Sequence, residues 1–546
     1  MRSHQPLQRI CGWEIRLYSV SEWKKPLKGS DEIRSVDMVD MMDEFSAQGG
    51  AADLPPVDVA VIGAGIAGLS TAVYAGLSGL SVRVFERHKI PGGACTSWRR
   101  KGYVFDYCVE YLVGTEEGHG FYDIWKELGV IDASTFVHLD SFGKYVGADG
   151  RAFTLYTDHR RLRDHMLELA PEDAREIEEL CAAVRKLRRM RMIDFSLSFK
   201  GLSQFIHSLP ALPAAKKWSS VSLANWCATL KSPLLREAIP TLVGWHDFPM
   251  AGPLMMLALM STNHAAYPIG GSLPIAYAVE KRAKALGAEL MYRNGVTRIL
   301  VENGRGVGVM LDDGRIQKAR HVVAACDART VFDRLLEGRI DDPKYREMFE
   351  SGVVSPSLIQ VSLGMRNDPA WGLSELPTKV NLPVKPFMVD GRERTRLRVY
   401  NYSHDPTTAP EGGTVLAVKF VGDYDQWSER RKDRNRYRAE KRRILEATVD
   451  ALERAFPGIG ARIQATDVAT PTSCERYTGS MRGSAQGWMM TLEWMKKLIA
   501  GKTLPKTFPA LEGFHLIGQW AEPGGGLPPC AKSGRDIVKH IMNSKC

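Results

Sequence analysis

The chain has 546 residues, 44% of them hydrophobic, which is enough for two or three domain-sized units with ordinary cores. Lys and Arg number 73 against 63 Asp and Glu, a surplus of 10 positive charges that suits an anionic surface. No RNP-like, zinc-ligand or basic-zipper pattern accompanies this charge, so we expect neither nucleic acid nor a bound metal. No apolar run approaches ~18 residues, so no transmembrane helix is predicted.

The nine cysteines are scattered, odd in number and free of any CxxC pair. This usage is typical of unpaired thiols in a reducing compartment and argues against a flavin-disulfide reductase. The N-terminus lacks a secretory pattern, so we expect a cytoplasmic protein that could also lie peripherally on a membrane. Residues 1–55 end in a linker composition and are predicted to be a peripheral or disordered extension. A transit peptide is the alternative, which their acidic residues disfavour.

The first recognisable unit is a βαβ pattern. A run of β-formers, Val57–Ile62, is followed by Gly63-Ala-Gly65-Ile66-Ala67-Gly68. The helical pattern Leu69–Leu77 comes next, and then a second β run, Ser81–Phe85, closed by Glu86. Gly63 permits the tight turn, Gly65 allows backbone amides to approach a pyrophosphate, and Gly68 allows the helix to pack on the sheet. The pattern predicts a dinucleotide site.

Glu86 stands 18 residues after Gly68, at the end of the second strand. A carboxylate there accepts hydrogen bonds from ribose hydroxyls and would repel a 2′-phosphate. The helix N-terminus faces the phosphates with its positive dipole end. The nucleotide is therefore expected to be FAD or NAD, and not NADP.

The next stretch contains Glu86-Arg87, Pro91-Gly92-Gly93-Ala94 and Ser97-Trp-Arg-Arg-Lys-Gly-Tyr-Val-Phe-Asp106. It resembles the N-terminal signature of FAD oxidoreductases of the phytoene desaturase, carotenoid isomerase and retinol saturase group, which is related more distantly to the amine oxidases. The resemblance implies that Gly92 and Gly93 lie against the flavin, and that Arg99 or Arg100 contacts the pyrophosphate. The family commonly continues with Asp-x-Gly, and Cys108 departs from that pattern.

Further along, Asp158–Leu187 is helical and charged, and the basic stretch Arg185–Met192 precedes an apolar one, Ile193–Trp218. Two interpretations stand for this region: a solvated helix leading into a loop, or a segment lying on lipid with its basic groups among the headgroups. Met250–Met260 is an apolar helix rich in methionine. Such a helix is more often core, although methionine would also suit the wall of a site for a flexible greasy ligand.

A second block of short strands spans Ala288–Asp327, and in the resembling family the backbone at the position of Val296 holds the adenine ring. Alternating β segments between 355 and 420 are expected to form a sheet that floors a substrate cavity. Asp425–Phe456 is a long basic helix, interpreted as solvated, with a membrane-facing or acidic-partner role as the alternative.

Near its end the chain repeats the strand–turn–helix pattern of the first unit. The strand Gly513–Gly518 leads through a glycine-rich turn into the helix Ala531–Met542. The resemblance implies that this turn completes the FAD site, with Glu522 near the ribityl chain and Gly526 and Leu527 facing the flavin. The cofactor contacts expected from both motifs are Gly63, Gly65, Ile66, Ala67, Gly68, Glu86, Arg87, Gly92, Gly93, Ala94, Arg99, Val296, Glu522, Gly526 and Leu527.

The predicted fold class is α/β, with a Rossmann-type FAD-binding domain of the glutathione-reductase-like kind and a mixed α+β substrate domain. The FAD-binding domain is discontinuous, formed by residues 56–150, 267–350 and 495–546. Residues 151–266 and 351–494 are expected to form the substrate-binding or cap domain, which could face a membrane.

The resemblance implies an FAD-dependent oxidoreductase that desaturates, saturates or isomerises a carbon–carbon bond of a hydrophobic isoprenoid or polyene by hydride transfer at flavin N5. The external electron acceptor or donor is not specified. Candidates for acid–base help are His246, Asp247, Tyr111, Glu110, Tyr477 and Arg482. Two alternatives stay open: an amine-oxidase-like enzyme acting on a C–N bond, with Trp488 and Trp520 supplying aromatics beside the flavin, and a non-catalytic prenyl-binding escort protein that contains FAD.

Overall fold

A computed structural model describes residues 9–10, 13–14, 52–190, 206–244 and 248–544. The short strands Arg9–Ile10 and Trp13–Glu14 pair antiparallel. The prediction for the rest of residues 1–51 lies outside the described residues. So does most of the predicted lipid-facing segment, at 191–205, together with His246 and Asp247.

The centre of the nucleotide-binding half is a sheet of parallel strands. In spatial order they are Glu289–Tyr292, Val82–Glu86, Leu54–Ile62, Ile316–Ala324 and Leu511–Leu516. The hairpin Val296–Glu302 and Arg305–Leu311 pairs antiparallel at the side of Ile316–Ala324, and Thr507–Phe508 pairs with Leu511–Leu516. The expected Rossmann-type α/β sheet is confirmed.

Three helices cover one face of this sheet: Ile66–Leu77, Ser272–Ala285 and Leu527–Asn543. Their apolar side chains form one core with the strands, including Val59, Val73, Val279, Ile537 and Ile541, each at most 2% exposed. The sequence pattern placed the first helix at Leu69–Leu77. It begins three residues earlier because the glycine-rich turn itself supplies its first residues.

The second half is built on a seven-stranded sheet. Its order is Ala152–Tyr156, Ser141–Val146, Lys379–Val389, Arg392–Asn401, Gly413–Val421, Leu358–Arg366 and Ile463–Ala469. All neighbouring pairs are antiparallel except Ser141–Val146 with Lys379–Val389. The strand Ser141–Val146 belongs to this sheet, although it lies before the boundary predicted at residue 150. We propose a boundary before Ser141.

The helices Tyr424–Arg431 and Arg434–Leu452 cover one face of the seven-stranded sheet. One continuous helix was expected here, but Asp433 caps the second helix by accepting hydrogen bonds from the amides of Asn435 and Arg436. Ile444 and Leu452 are buried against the sheet, whereas Arg434, Arg438 and Arg442 are exposed. The helix therefore has a basic outer face, and whether that face meets solvent, a membrane or an acidic partner stays a prediction.

A layer of helices packs at the end of the second half that contains the strands Ser141–Val146 and Ala152–Tyr156. Its helices are His159–Leu169, Ala174–Leu187, Leu212–Ser219, Leu223–Ala228, Pro233–Val243 and Ala251–Met260. Met250 and Met260 are buried in the core of this layer, and Met255 and Met256 pack partly exposed against it. The methionine-rich helix is thus mainly a core element.

The remaining elements are short connections between the two halves. The strands are Ser97–Arg100, Tyr103–Asp106, Leu112–Val113, Phe136–Val137 and Ala265–Pro268. The helices are Gly120–Glu127, Val130–Ala133, Pro343–Ser351, Ile459–Arg462, Pro471–Thr478 and Leu492–Ile499, besides single turns of tighter or wider helix. Within the described ranges, no helix combines the length and apolar character needed to cross a bilayer.

Candidate functional site

The opening glycine loop has the close contacts that its sequence predicts. Gly63 has φ +99°, which an L side chain rarely adopts. A Cβ atom at Gly68 would lie 1.9 Å from the carbonyl oxygen of Gly63, so only glycine lets this turn of the helix approach the strand. Gly65 caps the helix without a side-chain hydrogen bond, and the first turn carries no acidic residue. This N-terminus is suited to an anionic group such as a pyrophosphate.

The Gly92-Gly93 turn lies directly beside the opening loop. The amide of Gly92 donates to the carbonyl of Ala64 at 2.8 Å, and Gly92 forms a parallel β-bridge with Gly65. Gly93 has φ +58°, and a Cβ atom there would lie 3.5 Å from the Cα of Gly65. Gly65, Gly92 and Gly93 therefore form one backbone surface without side chains, as a flat cofactor in close approach requires.

Glu86 lies at the end of its strand and orders the loop around it. One carboxylate oxygen accepts from the amide of Ala64 at 2.8 Å, and the other accepts from the amide of His88 at 2.7 Å. Each oxygen has a second lone pair, so the carboxylate can still accept a ribose hydroxyl. The predicted ribose contact fits this geometry.

Val296 lies at the same end of the sheet as Glu86. The amide of Asn294 donates to the carbonyl of Glu86 at 3.0 Å, and Val296 begins the next strand two residues later. Its side chain is partly buried against the core of the sheet. This position is compatible with the predicted contact to the adenine ring.

Arg87 makes a contact that the sequence did not predict. Its guanidinium donates to the carbonyls of Glu475 and Arg476 at 3.0 and 3.1 Å. These carbonyls lie in the last turn of the helix Pro471–Thr478, where the helix dipole favours a cation. Arg87 therefore joins the two halves of the protein, and the expected cofactor contact stays a prediction.

The closing motif begins beside the opening helix. A Cβ atom at Gly518 would lie 3.3 Å from that of Ala67, and Ser70 donates through its hydroxyl to the carbonyl of Ala531 at 2.7 Å. A Cβ atom at Gly534 would lie 2.6 Å from the carbonyl oxygen of Ala67. The first and last helices of the sheet are thus in close backbone contact.

Like the opening helix, Leu527–Asn543 starts at an uncapped glycine. Gly526 has φ +95°, no side chain caps the helix, and its first turn carries no acidic residue. Glu522 forms an ion pair with Lys506. The structure therefore brings two uncapped helix N-termini into the same half of the molecule, and the roles of Glu522, Gly526 and Leu527 stay predictions.

The hairpin of the signature, Ser97–Arg100 with Tyr103–Asp106, packs toward the second half. Trp98 donates through its indole N–H to Asp467 at 2.9 Å, and Arg100 pairs with the same carboxylate at 2.8 Å. Asp467 lies on the edge strand of the seven-stranded sheet, so Arg100 holds the hairpin there. Arg99 is exposed.

Asp106 explains how the chain manages without the glycine expected at Cys108. Its carboxylate accepts from the amide and hydroxyl of Ser272 at 2.6 and 2.7 Å, and from the amide of Cys108 at 3.1 Å. Ser272 is the first residue of the helix Ser272–Ala285. Asp106 therefore fixes residues 106–109 to that helix N-terminus, next to the Gly92-Gly93 turn, where a Cβ atom at Gly92 would lie 3.0 Å from Ala276.

Beyond Asp106, the chain enters a cluster of charged groups that sequence reasoning missed. Glu110 pairs with Lys379 at 3.2 Å, and Lys419 donates to the carbonyl of Tyr107 at 2.9 Å. Arg398 donates to the carbonyl of Thr241 at 2.6 Å. Burial alone would raise the pKa of Glu110, but Lys379, Lys419 and Arg398 outweigh it and hold the pKa at about 2. Glu110 is therefore a carboxylate at neutral pH.

The three cations belong to one face of the seven-stranded sheet. Lys379 lies across from Tyr400, Asn381 across from Arg398, and Gln360 across from Lys419. The intervening residues Leu397, Val399 and Val418 point into the core under the basic helices. This charged face could have been predicted from the alternation Arg396-Leu-Arg398-Val-Tyr400, because side chains two residues apart on a strand share one face.

The catalytic candidates separate in space. Tyr111 adjoins Glu110, contacts Phe142 edge-to-face at 6.3 Å, and has a pKa raised by burial, so it stays a phenol. Tyr477 is half exposed and contacts His88 at 5.5 Å, beside the glutamate of the nucleotide loop. Arg482 pairs with Asp425 at 2.6 Å. Among the four candidates that the structure describes, only Glu110 and Tyr111 therefore lie with the cationic cluster.

Trp488 and Trp520 do not form an open aromatic cage. They contact each other edge-to-face at 5.0 Å, and Trp488 donates through its indole N–H to the carbonyl of Trp520 at 3.1 Å. Both are at most 2% exposed in the core of the nucleotide-binding half. This geometry disfavours the alternative in which the two tryptophans supply aromatics beside the flavin, because burial against Phe349 and against each other leaves their faces covered.

Comparisons with known proteins agree with this architecture. A NAD(P)-binding Rossmann-like domain matches residues 61–128. The chain is 24% identical to a chloroplastic prolycopene isomerase of Daucus carota, over 94% of this chain and 83% of that protein. It is 26% identical to a neurosporene-forming phytoene desaturase of Cereibacter sphaeroides, over 88% of this chain and 93% of that protein. A solved putrescine oxidase superposes with a TM-score of 0.58 at 16% identity, covering 90% of this chain and 99% of the oxidase.

The relatives and the glycine surfaces together confirm the resemblance inferred from the signature, and with it FAD as the cofactor. The same relatives, an isomerase and a desaturase by name, confirm the prediction that the chain is an oxidoreductase-type enzyme. The likeness to the putrescine oxidase shows the shared fold.

Proposed function

We infer that this flavoprotein, which resembles the phytoene desaturases and carotenoid isomerases, acts on a carbon–carbon double bond of a polyene or isoprenoid substrate. The supporting observation is the similarity to a phytoene desaturase and a prolycopene isomerase along nearly the whole chain, together with the two glycine motifs of this chain. A bound FAD supplies hydride transfer at its N5 atom. The protein orients the substrate and the cofactor and sets the protonation states of the side chains around them.

The residues we propose to hold FAD are those of the two uncapped helix N-termini and the Gly92-Gly93 turn. Backbone amides at Gly65–Gly68 and Gly526–Leu527 would face its anionic groups. Glu86 would accept a ribose hydroxyl while keeping its two backbone hydrogen bonds.

Within the charged cluster, the group suited to proton transfer is Lys379 rather than Glu110. Burial lowers the pKa of Lys379 to about 8, against the opposing effect of Glu110. A group with this pKa can hold or release a proton at Nζ near neutral pH. Glu110 stays ionised and stabilises the charged form of Lys379 at 3.2 Å.

The test is anaerobic incubation of the FAD-loaded protein with prolycopene and with phytoene, each with the flavin oxidised or reduced beforehand. Desaturation would bleach the oxidised flavin and yield a longer conjugated product, and turnover would then need an external acceptor. Isomerisation would need the reduced flavin and leave it unchanged. A preparation that binds no FAD, or that converts neither polyene but forms peroxide with putrescine, would refute the proposal.

We further propose a peripheral association with anionic membranes. It is supported by the net charge of +10, by the exposed arginines of Arg434–Leu452 and by the exposed Ile206 and Leu209, which follow the basic stretch. Co-sedimentation should occur with vesicles of phosphatidylserine and phosphatidylcholine at low salt, and weaken at high salt. Equal sedimentation with pure phosphatidylcholine vesicles would contradict an electrostatic association.

A further inference from the structure

The face of the seven-stranded sheet that looks toward the nucleotide-binding half carries an unusual concentration of buried positive charge. Lys379 and Lys419 are 4% and 8% exposed, and Arg398 is partly buried between them. A hydrocarbon substrate alone would give no reason to keep three cations there, since each loses hydration on burial. We call Lys379, Arg398 and Lys419 the cationic face.

The acids near the cationic face are already engaged. Glu110 pairs with Lys379, and Asp106 accepts hydrogen bonds from Ser272, Cys108 and Val109. The hydrogen bonds of Lys419 and Arg398 go to the neutral carbonyls of Tyr107 and Thr241. Arg396, two residues before Arg398 on the same strand face, is also buried and pairs with Glu237 at 3.7 Å. Four cations against the acids Glu110, Asp106 and Glu237 leave one excess positive charge, even with all three acids ionised.

Two buried amide side chains share this face and have unused hydrogen-bonding atoms. Gln360, across from Lys419, and Asn381, across from Arg398, are both fully buried. Within residues 52–190, 206–244 and 248–544, the Gln360 Oε1 and Asn381 Nδ2 atoms have no hydrogen-bond partner. The Asn381 Nδ2 atom is a donor whose missing hydrogen bond is costly, and an oxygen-rich ligand would satisfy it. The Gln360 Oε1 atom is an acceptor and would not bind an oxyanion.

The cationic face is connected to the flavin-proximal turn by a short segment of chain. Asp106 contacts the helix next to Gly92, and Tyr107 and Glu110 contact Lys419 and Lys379. Cys108 lies in the same segment, near Cys530 in the first turn of the helix Leu527–Asn543. Burial raises the pKa of Cys530 to about 12, and Cys108 adds to this effect. A substrate that reaches the glycine motifs therefore has the cationic face within its own length.

We infer that the cationic face binds a terminal oxyanion of the hydrophobic substrate, a carboxylate or a phosphate, and so orients the chain relative to the flavin. This rests on the proposed function and narrows its substrate class to polyene or isoprenoid chains that end in an acidic group. Lys419 and Arg398 supply the charge, and Asn381 supplies a further N–H donor. Lys379 remains with Glu110.

The test is isothermal titration calorimetry of the FAD-loaded protein with three ligands that share one fifteen-carbon chain: farnesol, farnesoic acid and farnesyl monophosphate. We expect the acid, the phosphate or both to bind at least about tenfold more tightly than the alcohol, the effect of one or two buried charge-assisted hydrogen bonds. The better of the two anions identifies the natural end group. Equal binding of all three, or no measurable binding of either anion, would overturn the inference.

Variants locate the effect. In Lys419→Met with Arg398→Met, the preference for the anion should fall to about threefold or less, with the affinity for farnesol unchanged. Lys385→Met is the matched control, because Lys385 is exposed on the same strand as Lys379, and it should keep the full preference. A preference that survives in the double variant would overturn the assignment to this face.

The flavin content separates failure of this inference from failure of the proposed function. If the double variant does not fold, its flavin absorbance and thermal transition will be lost, and the three-ligand comparison on the wild-type protein then decides alone. Wild-type protein that binds FAD and converts a neutral polyene, yet prefers no anion, would refute the oxyanion site and leave the proposed function standing.

Discussion

Gly68 shows how strictly a single residue can be required. Replacing a helical glycine with alanine would normally stabilise a helix by about 1 kcal/mol. Here the new Cβ atom would lie 1.9 Å from the Gly63 carbonyl oxygen, so Gly68→Ala should instead cost about 1–3 kcal/mol and reduce FAD content. Urea unfolding and flavin absorbance measure both effects.

The control for Gly68→Ala is Gly460→Ala, another helical position where the nearest neighbours of an added Cβ atom lie at 3.7 Å. This variant should be neutral or slightly stabilised, with full FAD content. Equal stability of both variants would contradict the close packing of the first helix on its strand.

Asp327 should give the protein a measurable dependence of stability on pH. Burial raises its pKa from 3.8 to about 6, although it accepts from the amides of Thr330 and Met481 at 2.9 Å. Because the folded pKa is the higher one, the folded state binds the extra proton, and the contribution of Asp327 is lost as pH rises from about 4 to about 6.

The measurement is the free energy of unfolding of the wild-type protein minus that of Asp327→Asn, between pH 4 and pH 7. The difference should fall with rising pH and level off above pH 7. Asp313→Asn, on an exposed turn, is the control and should show no fall over this range, since hydrogen bonding to Arg315 lowers its pKa. A rising difference for Asp327 would contradict the assignment.

At the scale of elements, the helix Arg434–Leu452 is held by a narrow apolar stripe beneath a basic outer face. Leu452 is fully buried against the seven-stranded sheet, so Leu452→Ala should cost about 2–5 kcal/mol of unfolding free energy. Arg442→Ala, on the exposed face, should change it by no more than about 0.5 kcal/mol. Chemical denaturation measures both, and similar costs for the two variants would contradict the helix–sheet contact.

Helices and strands could be predicted from the sequence where the residues that specify them are neighbours in the chain. The βαβ unit was predicted because its glycines, alternation and turns are neighbours in sequence. The strand Lys379–Val389 was missed, since Pro383 and Pro386 interrupt its alternation, and a register shift between Pro383 and Phe387 accommodates them.

The candidate site divides in the same way. The glycine surfaces follow from residues close together in the chain, and their positions agree with the pattern. The cationic face combines residues from three strands with Glu110, more than 250 residues away from each of them. No local pattern can reveal such a pairing, because it depends on which strands the fold makes neighbours.

For the whole molecule, we expect FAD to contribute directly to stability. The proposed contacts come from residues 63–94 and 522–527, so bound FAD would join segments that otherwise meet through helix packing. At a free FAD concentration one hundred times Kd, the protein should gain about 2.7 kcal/mol of unfolding free energy. Thermal unfolding with and without added FAD measures this gain, and NADP at the same concentration is the control. An unchanged transition would contradict binding to the folded state.

The contact of Gly534 with Ala67 has a consequence for biosynthesis. The first helix of the sheet leaves the ribosome long before the helix Leu527–Asn543 exists, so the nascent nucleotide-binding half must wait for more than 450 further residues with one face uncovered. Ser70 and the apolar residues beside it would meanwhile be available to chaperones. Loading of the cofactor should accordingly be a late event that follows release of the chain, and its timing could be followed by arresting translation before and after residue 527.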